Sequence, residues 1–230
     1  MQVMDRQYMK TPFYGCGMML GHLLKMGYQV NIKRVHRLYR LMGLEAVCPK
    51  PDLSRPNKAH KIYPYLLRGV AITHLNQVWS SDITYIPMPN GFLYLTAVID
   101  WYSRFVLSWE LSNSLDTFFC MEAVRKALDR YGKPLIFNTD QGSQFTSLEY
   151  TGLLNANDIK ISMDGKGRAT DNAFVERLWR SVKYEYIYLN AIEDGLALFK
   201  GLESYFNEYN YQRPHSSLGR KSPAQFYGIH

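Results

Sequence analysis

The sequence predicts an α/β protein: a mixed sheet with flanking helices, preceded by a small basic helical module. Three observations lead there. Beyond residue 71, three strand-like runs come first, and helical and strand-like runs then alternate. The first 70 residues carry 12 Lys/Arg against 3 Asp/Glu, whereas residues 71–230 carry 15 against 17, so the net charge of +7 resides in the head. Three acidic residues, Asp82, Asp140 and Glu176, stand within or at the edge of predicted elements rather than in polar runs.

The head, residues 1–47, begins its helical pattern after Thr11-Pro-Phe-Tyr-Gly-Cys-Gly, with a short helix through Met18–Met26 closed by Gly27. A second helix follows, with Asn31 as N-cap and apolar residues at Ile32, Val35, Leu38, Tyr39 and Met42. Lys33, Arg34, Arg37 and Arg40 fill its other faces. Helix, glycine turn and basic amphipathic helix fit a helix-turn-helix that grips DNA through Lys33, Arg34 and Arg37. They fit equally a helical hairpin with a solvated basic face. Residues 48–70, with four prolines, read as an extended linker.

Residues 71–230 form the second domain. A strand at 78–87 meets the turn Pro89-Asn-Gly91, and runs at 92–100 and 104–111 complete a three-strand meander. A helix is expected at about 116–131, a strand at 134–140, a helix at about 147–157 and a short strand at 159–163, then helices at about 171–189 and 194–211. Three antiparallel strands followed by alternating helix and strand is the order of a ribonuclease-H-like fold.

Composition narrows the functional classes. With 47% hydrophobic and 14% aromatic residues, the 230-residue chain can bury a sizeable core. Apolar runs are too short for a membrane span, and the N-terminus lacks a signal-peptide pattern. Three scattered cysteines, Cys16, Cys48 and Cys120, fit reduced thiols in a cytoplasmic protein rather than a disulfide framework. No Cys/His spacing suggests zinc.

The acidic triplet carries the chemistry. A phosphodiester resists attack because its anionic oxygens repel nucleophiles. Two divalent ions about 4 Å apart overcome this, and they require hard carboxylate ligands converging from separate elements. Asp82 would project from the middle of the first strand and Asp140 from the end of an adjacent one. At about 100° per residue, Asn172, Glu176, Arg180 and Lys183 share one helical face, opposite Phe174, Val175, Leu178 and Val182. Taken alone, Glu176 and Arg180 are an ordinary i, i+4 pair; joined to Asp82 and Asp140, the face reads as a metal ligand with Arg180 and Lys183 beside it along a phosphate backbone. Gly165-Lys-Gly-Arg-Ala-Thr170 reads either as a basic loop that orders on a nucleic-acid backbone through Lys166 and Arg168, or as a plain surface loop. Asp100 is expected to order the turn after its strand through Ser103 or Arg104, and Asp171 to cap the Glu176 helix.

The runs Trp79-Ser-Ser-Asp-Ile-Thr-Tyr85, Asp100-Trp-Tyr-Ser-Arg104, Thr139-Asp-Gln-Gly-Ser-Gln-Phe145 and Asp171-Asn-Ala-Phe-Val-Glu176 resemble those of bacterial insertion-sequence transposases of the IS-three family, relatives of retroviral integrases. Tyr209-Asn-Tyr-Gln-Arg-Pro-His-Ser-Ser-Leu218 and Ser222-Pro-Ala-Gln-Phe226 resemble the same family's C-terminal signature, and together the matches span most of residues 11–227. The resemblance implies that Asp82, Asp140 and Glu176 bind Mg²⁺, with Mn²⁺ able to substitute. It implies cleavage at transposon ends and attack of the exposed 3′-hydroxyl on a target phosphodiester, with Lys183 as a downstream DNA contact. The implied partners are double-stranded DNA (transposon ends and target), further copies of the chain and a first-frame protein that recognises the ends. A purely hydrolytic ribonuclease-H-like nuclease and a catalytically silent DNA-binding regulator are the alternatives.

Overall fold

The computed structural model describes residues 1–46, 61–89, 91–165 and 172–229. The chain forms two compact units, Met1–Leu53 and Ser54–His230. No described helix is long and apolar enough to cross a membrane.

The first unit packs three helices, α1 (Gln2–Lys10), α2 (Cys16–Lys25) and α3 (Ile32–Met42), around Met4, Met19, Leu23, Val35 and Tyr39. The sequence pattern missed α1 because only Met4 of that helix is fully buried, too little for a readable apolar stripe. α2 ends where Gly27 takes φ +83°, the left-handed conformation that favours glycine. The Asn31 side chain accepts a 2.9 Å hydrogen bond from the Arg34 amide, the expected cap. Val35 and Tyr39 are buried, and the Tyr39 hydroxyl donates to the Tyr14 carbonyl at 2.8 Å. Lys33, Arg34, Arg37 and Arg40 all remain exposed.

The second unit is built on a five-stranded sheet of order β3-β2-β1-β4-β5. Its strands are β1 (Val78–Met88), β2 (Gly91–Asp100), β3 (Val106–Ser112), β4 (Ile136–Thr139) and β5 (Lys160–Met163). β1, β2 and β3 form the antiparallel meander, and β4 and β5 add in parallel, giving the ribonuclease-H-like arrangement. Helices α4 (Phe118–Tyr131) and α5 (Leu148–Ala156) cover one face, burying Trp79, Val98, Phe119, Val124, Phe137 and Leu154. On the other, α6 (Ala173–Ser181) and α7 (Gly195–Tyr211) bury Ile86, Leu95, Ala97, Ile99, Val175, Leu178, Leu202 and Phe206. Strand pleating explains the division, since alternate residues of β2 point to opposite layers.

Residues 61–70, expected within the linker, are free of helix and strand, turn at Arg68–Gly69 and pack within this unit. The Leu66 amide donates to Ser162 Oγ at 3.0 Å, and Leu67 is buried with Val78 and Trp101. The expected helix over 171–189 is three pieces: α6, a π turn at Val182–Tyr186 and a 3₁₀ turn at Ile187–Leu189. Space for the π turn comes partly from Gly201 of α7, where an added Cβ would lie 1.5 Å from Tyr186 Oη. A final helix, α8 (Pro223–Tyr227), has no counterpart in the sequence reading. It explains the Ser222-Pro-Ala-Gln-Phe226 motif as a capping box: Ser222 Oγ accepts from the Gln225 amide at 3.3 Å, and Gln225 Oε1 accepts from the Ser222 amide at 3.1 Å.

Asn210, within the Tyr209–Leu218 motif, pins α7 to the sheet. Its side chain accepts from the Val106 amide and donates to the Val106 carbonyl, both at 2.9 Å, in a buried setting. Asn210→Ala strands both backbone groups and is expected to cost about 2–4 kcal/mol, read as a lowered denaturation midpoint.

Candidate active site

The β1–β4 pairing brings the first two acidic residues together. Val78, Trp79 and Ser80 pair in parallel with Ile136, Phe137 and Asn138. Two residues further along each chain come Asp82 and Asp140, so the two stand level at the same end of neighbouring strands. Along β1, Trp79 packs under α4 and α5 whereas Ile86 packs under α6 and α7. Asp82 shares the parity of Ile86 and therefore faces α6.

α6 answers from that side. Its buried face is Val175, Leu178 and Trp179, and Glu176 and Arg180 are exposed, as the helical spacing requires. Lys183 falls inside the π turn and is half-buried. Asn172, placed by the spacing on the exposed face with Glu176, is instead buried at the N-cap position. Its Oδ1 has no hydrogen-bond partner among the described residues. Asp171, expected as the cap, and the loop residues Lys166 and Arg168 lie outside the described residues.

Trp179 was not foreseen. Its indole N–H donates to Asp82 Oδ2 at 3.0 Å, tying the carboxylate to the helix that carries Glu176. The only sequence signal was an indole three residues beyond Glu176, within helical reach. The turn after β4 is held just as closely. Asp140 Oδ1 accepts from the Gly142 amide at 2.8 Å, and a Cβ at Gly142 would stand 2.9 Å from that same oxygen. Only glycine permits this close approach. Asp164, at the end of β5, accepts from Asn138 Nδ2 at 2.7 Å, and its carbonyl accepts from Gln141 Nε2 at 2.7 Å. Asp164 thus clamps the Asp140 turn from its other side.

Asp100 behaves as expected. It is fully buried and accepts from the Ser103 amide (2.8 Å), Ser103 Oγ (2.7 Å) and the Asn76 amide (2.9 Å). With its oxygens committed to the turn, it is a structural carboxylate.

Burial pushes the Asp82 carboxyl up to about 6, with Asp140 and, more weakly, Glu176 adding repulsion; the Ile83 amide and Trp179 partly offset this. Asp140 is raised too, by burial of its carboxyl, although the residue keeps an exposed edge; the Gly142 amide pulls the other way. Among the described residues no group of three or more His, Cys, Asp or Glu side chains is drawn together tightly enough to hold a metal ion as it stands. The donor chemistry nevertheless suits a hard divalent cation, because Asp82 and Asp140 are anionic oxygen donors whose mutual repulsion a cation would relieve.

The sign of the Asp82 shift has a measurable effect on the metal-free protein. A raised carboxyl favours the folded state when protonated, so its contribution is fully present below pH 3.8, the unfolded value, and is lost as pH rises through about 6. Asp82→Asn removes the buried charge and keeps an acceptor for Trp179. It is expected to stabilise the protein by about 2 kcal/mol at pH 7.5 in chelator, with the gain vanishing near pH 4, read by thermal denaturation at both pH values.

Comparison with known proteins agrees with this architecture. Family models described as integrase core domain match residues 73–169 and 157–223, and one described as an HTH-like domain matches residues 1–52. The transposase for insertion sequence element IS904 of Lactococcus lactis is 34% identical, over 93% of this chain and 87% of that protein. Transposase InsF for insertion sequence IS3A of Escherichia coli is 32% identical, over 93% of this chain and 76% of that protein. Among solved structures, the HTLV-2 integrase catalytic core domain in complex with magnesium superposes with a TM-score of 0.55 at 22% identity, covering 66% of this chain and 96% of that one. A chain of the simian T-cell lymphotropic virus intasome in complex with PP2A regulatory subunit B56 gamma gives 0.61 at 17% identity, covering 94% of this chain and 72% of that one. The chain belongs to the IS3 family of insertion-sequence transposases, built on a ribonuclease-H-like integrase core.

Proposed function

We propose that this chain cuts DNA at the ends of an insertion sequence and joins the exposed 3′-hydroxyls to target DNA, using divalent metal held by Asp82, Asp140 and Glu176. The observation that carries this reading is the convergence of β1, the β4 turn and α6 on one end of the sheet, with Trp179 tying Asp82 to the helix of Glu176. Mg²⁺ or Mn²⁺ held there would polarise the phosphodiester and activate the attacking oxygen.

The residues supply the rest by position. Trp179 fixes one oxygen of Asp82, and the Gly142 amide fixes one of Asp140, so neither carboxylate reorganises when DNA arrives. Glu176 stands exposed on α6, free to approach the two aspartates, with Arg180 one turn further and Lys183 beyond as contacts for the backbone. In the first step a water oxygen forms a bond to phosphorus and the bond to the 3′-oxygen breaks. In the second the freed 3′-hydroxyl oxygen bonds to a target phosphorus, releasing a target 3′-oxygen. The basic face of α3 (Lys33, Arg34, Arg37) would bind duplex DNA, and Lys166 and Arg168 belong to the same proposed set of backbone contacts. Two ends must be processed together, so the active species is expected to be a multimer on DNA, joined by a first-frame protein that reads the ends.

Glu176→Gln keeps shape and removes one ligand charge. Wild type is expected to nick supercoiled plasmid with Mg²⁺ or Mn²⁺ and to join a 3′-hydroxyl oligonucleotide to it, and Glu176→Gln to lose at least 100-fold in both, about 3 kcal/mol in barrier. Nicking without joining by wild type would identify a hydrolase, and equal activity of the variant would remove Glu176 from the site. Replacing Lys33, Arg34 and Arg37 together by Ala is expected to weaken duplex binding at least about tenfold and to lower the slope of log affinity against log salt by about 2 to 3, measured by fluorescence anisotropy.

A further inference from the structure

α6 also lines a cavity of about 360 Å³ that the reading above touches only through Arg180. It is lined by Arg104, Arg177, Arg180 and Arg213, with His215 and the hydroxyls of Ser181, Ser216 and Ser217. Among the described residues, no Asp or Glu lines it. Four guanidiniums around one small cavity repel one another, and proteins keep such clusters where an anion is to be held.

Each arginine is accounted for differently. Arg213 makes a two-pronged pair with Glu185 (2.9 and 2.5 Å), and its Nη1 donates to His215 Nε2 at 3.2 Å. That bond uses His215 as an acceptor, and burial followed by Arg213 pushes its imidazole down to about 4, so it is neutral at pH 7. Arg104, by contrast, forms no ion pair among the described residues, and its Nη1 is buried without a hydrogen-bond partner. Its guanidinium lies 3.6 Å from the ring centre of Phe174. Burial lowers it to about 10, partly offset by Tyr209 and Asp100 and reinforced weakly by Arg177, which leaves it charged at neutral pH. The nearest obvious counter-charge is Asp100, but its oxygens serve Asn76 and Ser103. Arg104 also adopts φ +64°, a left-handed conformation that a non-glycine residue takes only under constraint. Arg177 and Arg180 are exposed and likewise form no ion pair among the described residues.

We propose that this cavity is a phosphodiester-binding site, which holds the backbone of the DNA strand whose neighbouring phosphate lies at Asp82, Asp140 and Glu176. It rests on the proposed function and adds a named backbone site. Arg180, which lines the cavity, stands one turn beyond Glu176 on α6, roughly 5 Å along the axis, so a strand leaving the carboxylates meets the cavity's arginines first through Arg180. Planar guanidiniums and serine hydroxyls match the tetrahedral oxygens of a phosphodiester, and the cavity reads no base. The arrangement gives the Tyr209–Leu218 motif a role, because its Arg213, His215, Ser216 and Ser217 form one wall.

The test is the salt dependence of duplex binding by the full chain in chelator, for wild type, Arg177→Gln and Arg177→Lys. Arg177 is exposed, so the fold should survive, and thermal denaturation checks it. Arg177→Gln is expected to weaken binding about 5- to 10-fold irrespective of sequence and to lower the salt slope by about 1, while Arg177→Lys retains the slope. Wild-type affinity and slope in Arg177→Gln would overturn the proposal while leaving the proposed function intact. Inorganic sulfate that raises the melting temperature of wild type but not of Arg177→Gln, with an unchanged DNA slope, would assign the cavity to a free anion and also overturn it. Failure of wild type to bind any duplex would overturn both readings.

Discussion

The parallel pairing of β1 with β4 is the constraint on which the rest of the larger unit depends. Antiparallel pairing alone would leave β1 as an edge strand with no neighbour to bring Asp140 level with Asp82. Adding β4 in parallel buries β1 on both sides, sets Ser80 opposite Asn138, and carries Asp82 and Asp140 to a common end. A parallel neighbour requires a crossover, and α4 provides it while burying Ala123, Val124 and Ala127 against the sheet. Everything at the candidate site is then a matter of what covers that end, and α6 covers it from the opposite layer.

Much of this was legible in the chain. The strands of the meander, the caps at Asn31 and the closing glycines, and the exposed placement of Glu176 and Arg180 all follow from short-range periodicity and turn chemistry. The bond between Asp100 and Ser103 follows from their spacing. What stayed hidden depends on tertiary partners. Trp179 reads as one more apolar residue on a buried helical face, and only the folded sheet brings an aspartate within 3.0 Å of its N–H. The π turn leaves no composition signature, since it is a response to packing against Gly201 and Tyr205. α1 and α8 are short and bury few residues, so their periodicity sinks below the noise of a loop.

The two sets of charge in the larger unit are built on opposite principles. The aspartates are crowded and raised, an unfavourable concentration of negative charge held by an indole and a backbone amide. Around α6, Arg104, Arg177, Arg180 and Arg213 are gathered, and of the four only Arg213 has a carboxylate partner among the described residues. No ion pair among the described residues joins the two sets. Kept apart, each would be completed from outside, one by cations and the other by an anion. A phosphodiester accompanied by its counter-ions is a ligand of that description.

The π turn at Val182–Tyr186 has an evolutionary corollary. It is equivalent to one extra residue inside a helix that would otherwise continue from α6. Deleting one residue here would restore regular winding and leave the chain beyond in its present phase, because a π turn absorbs its extra residue within its own length. The groups at stake are those of the turn itself: Glu185, paired with Arg213, and Tyr186, seated against Gly201. A one-residue shortening at this place is therefore compatible with the rest of the fold, at the cost of those two contacts.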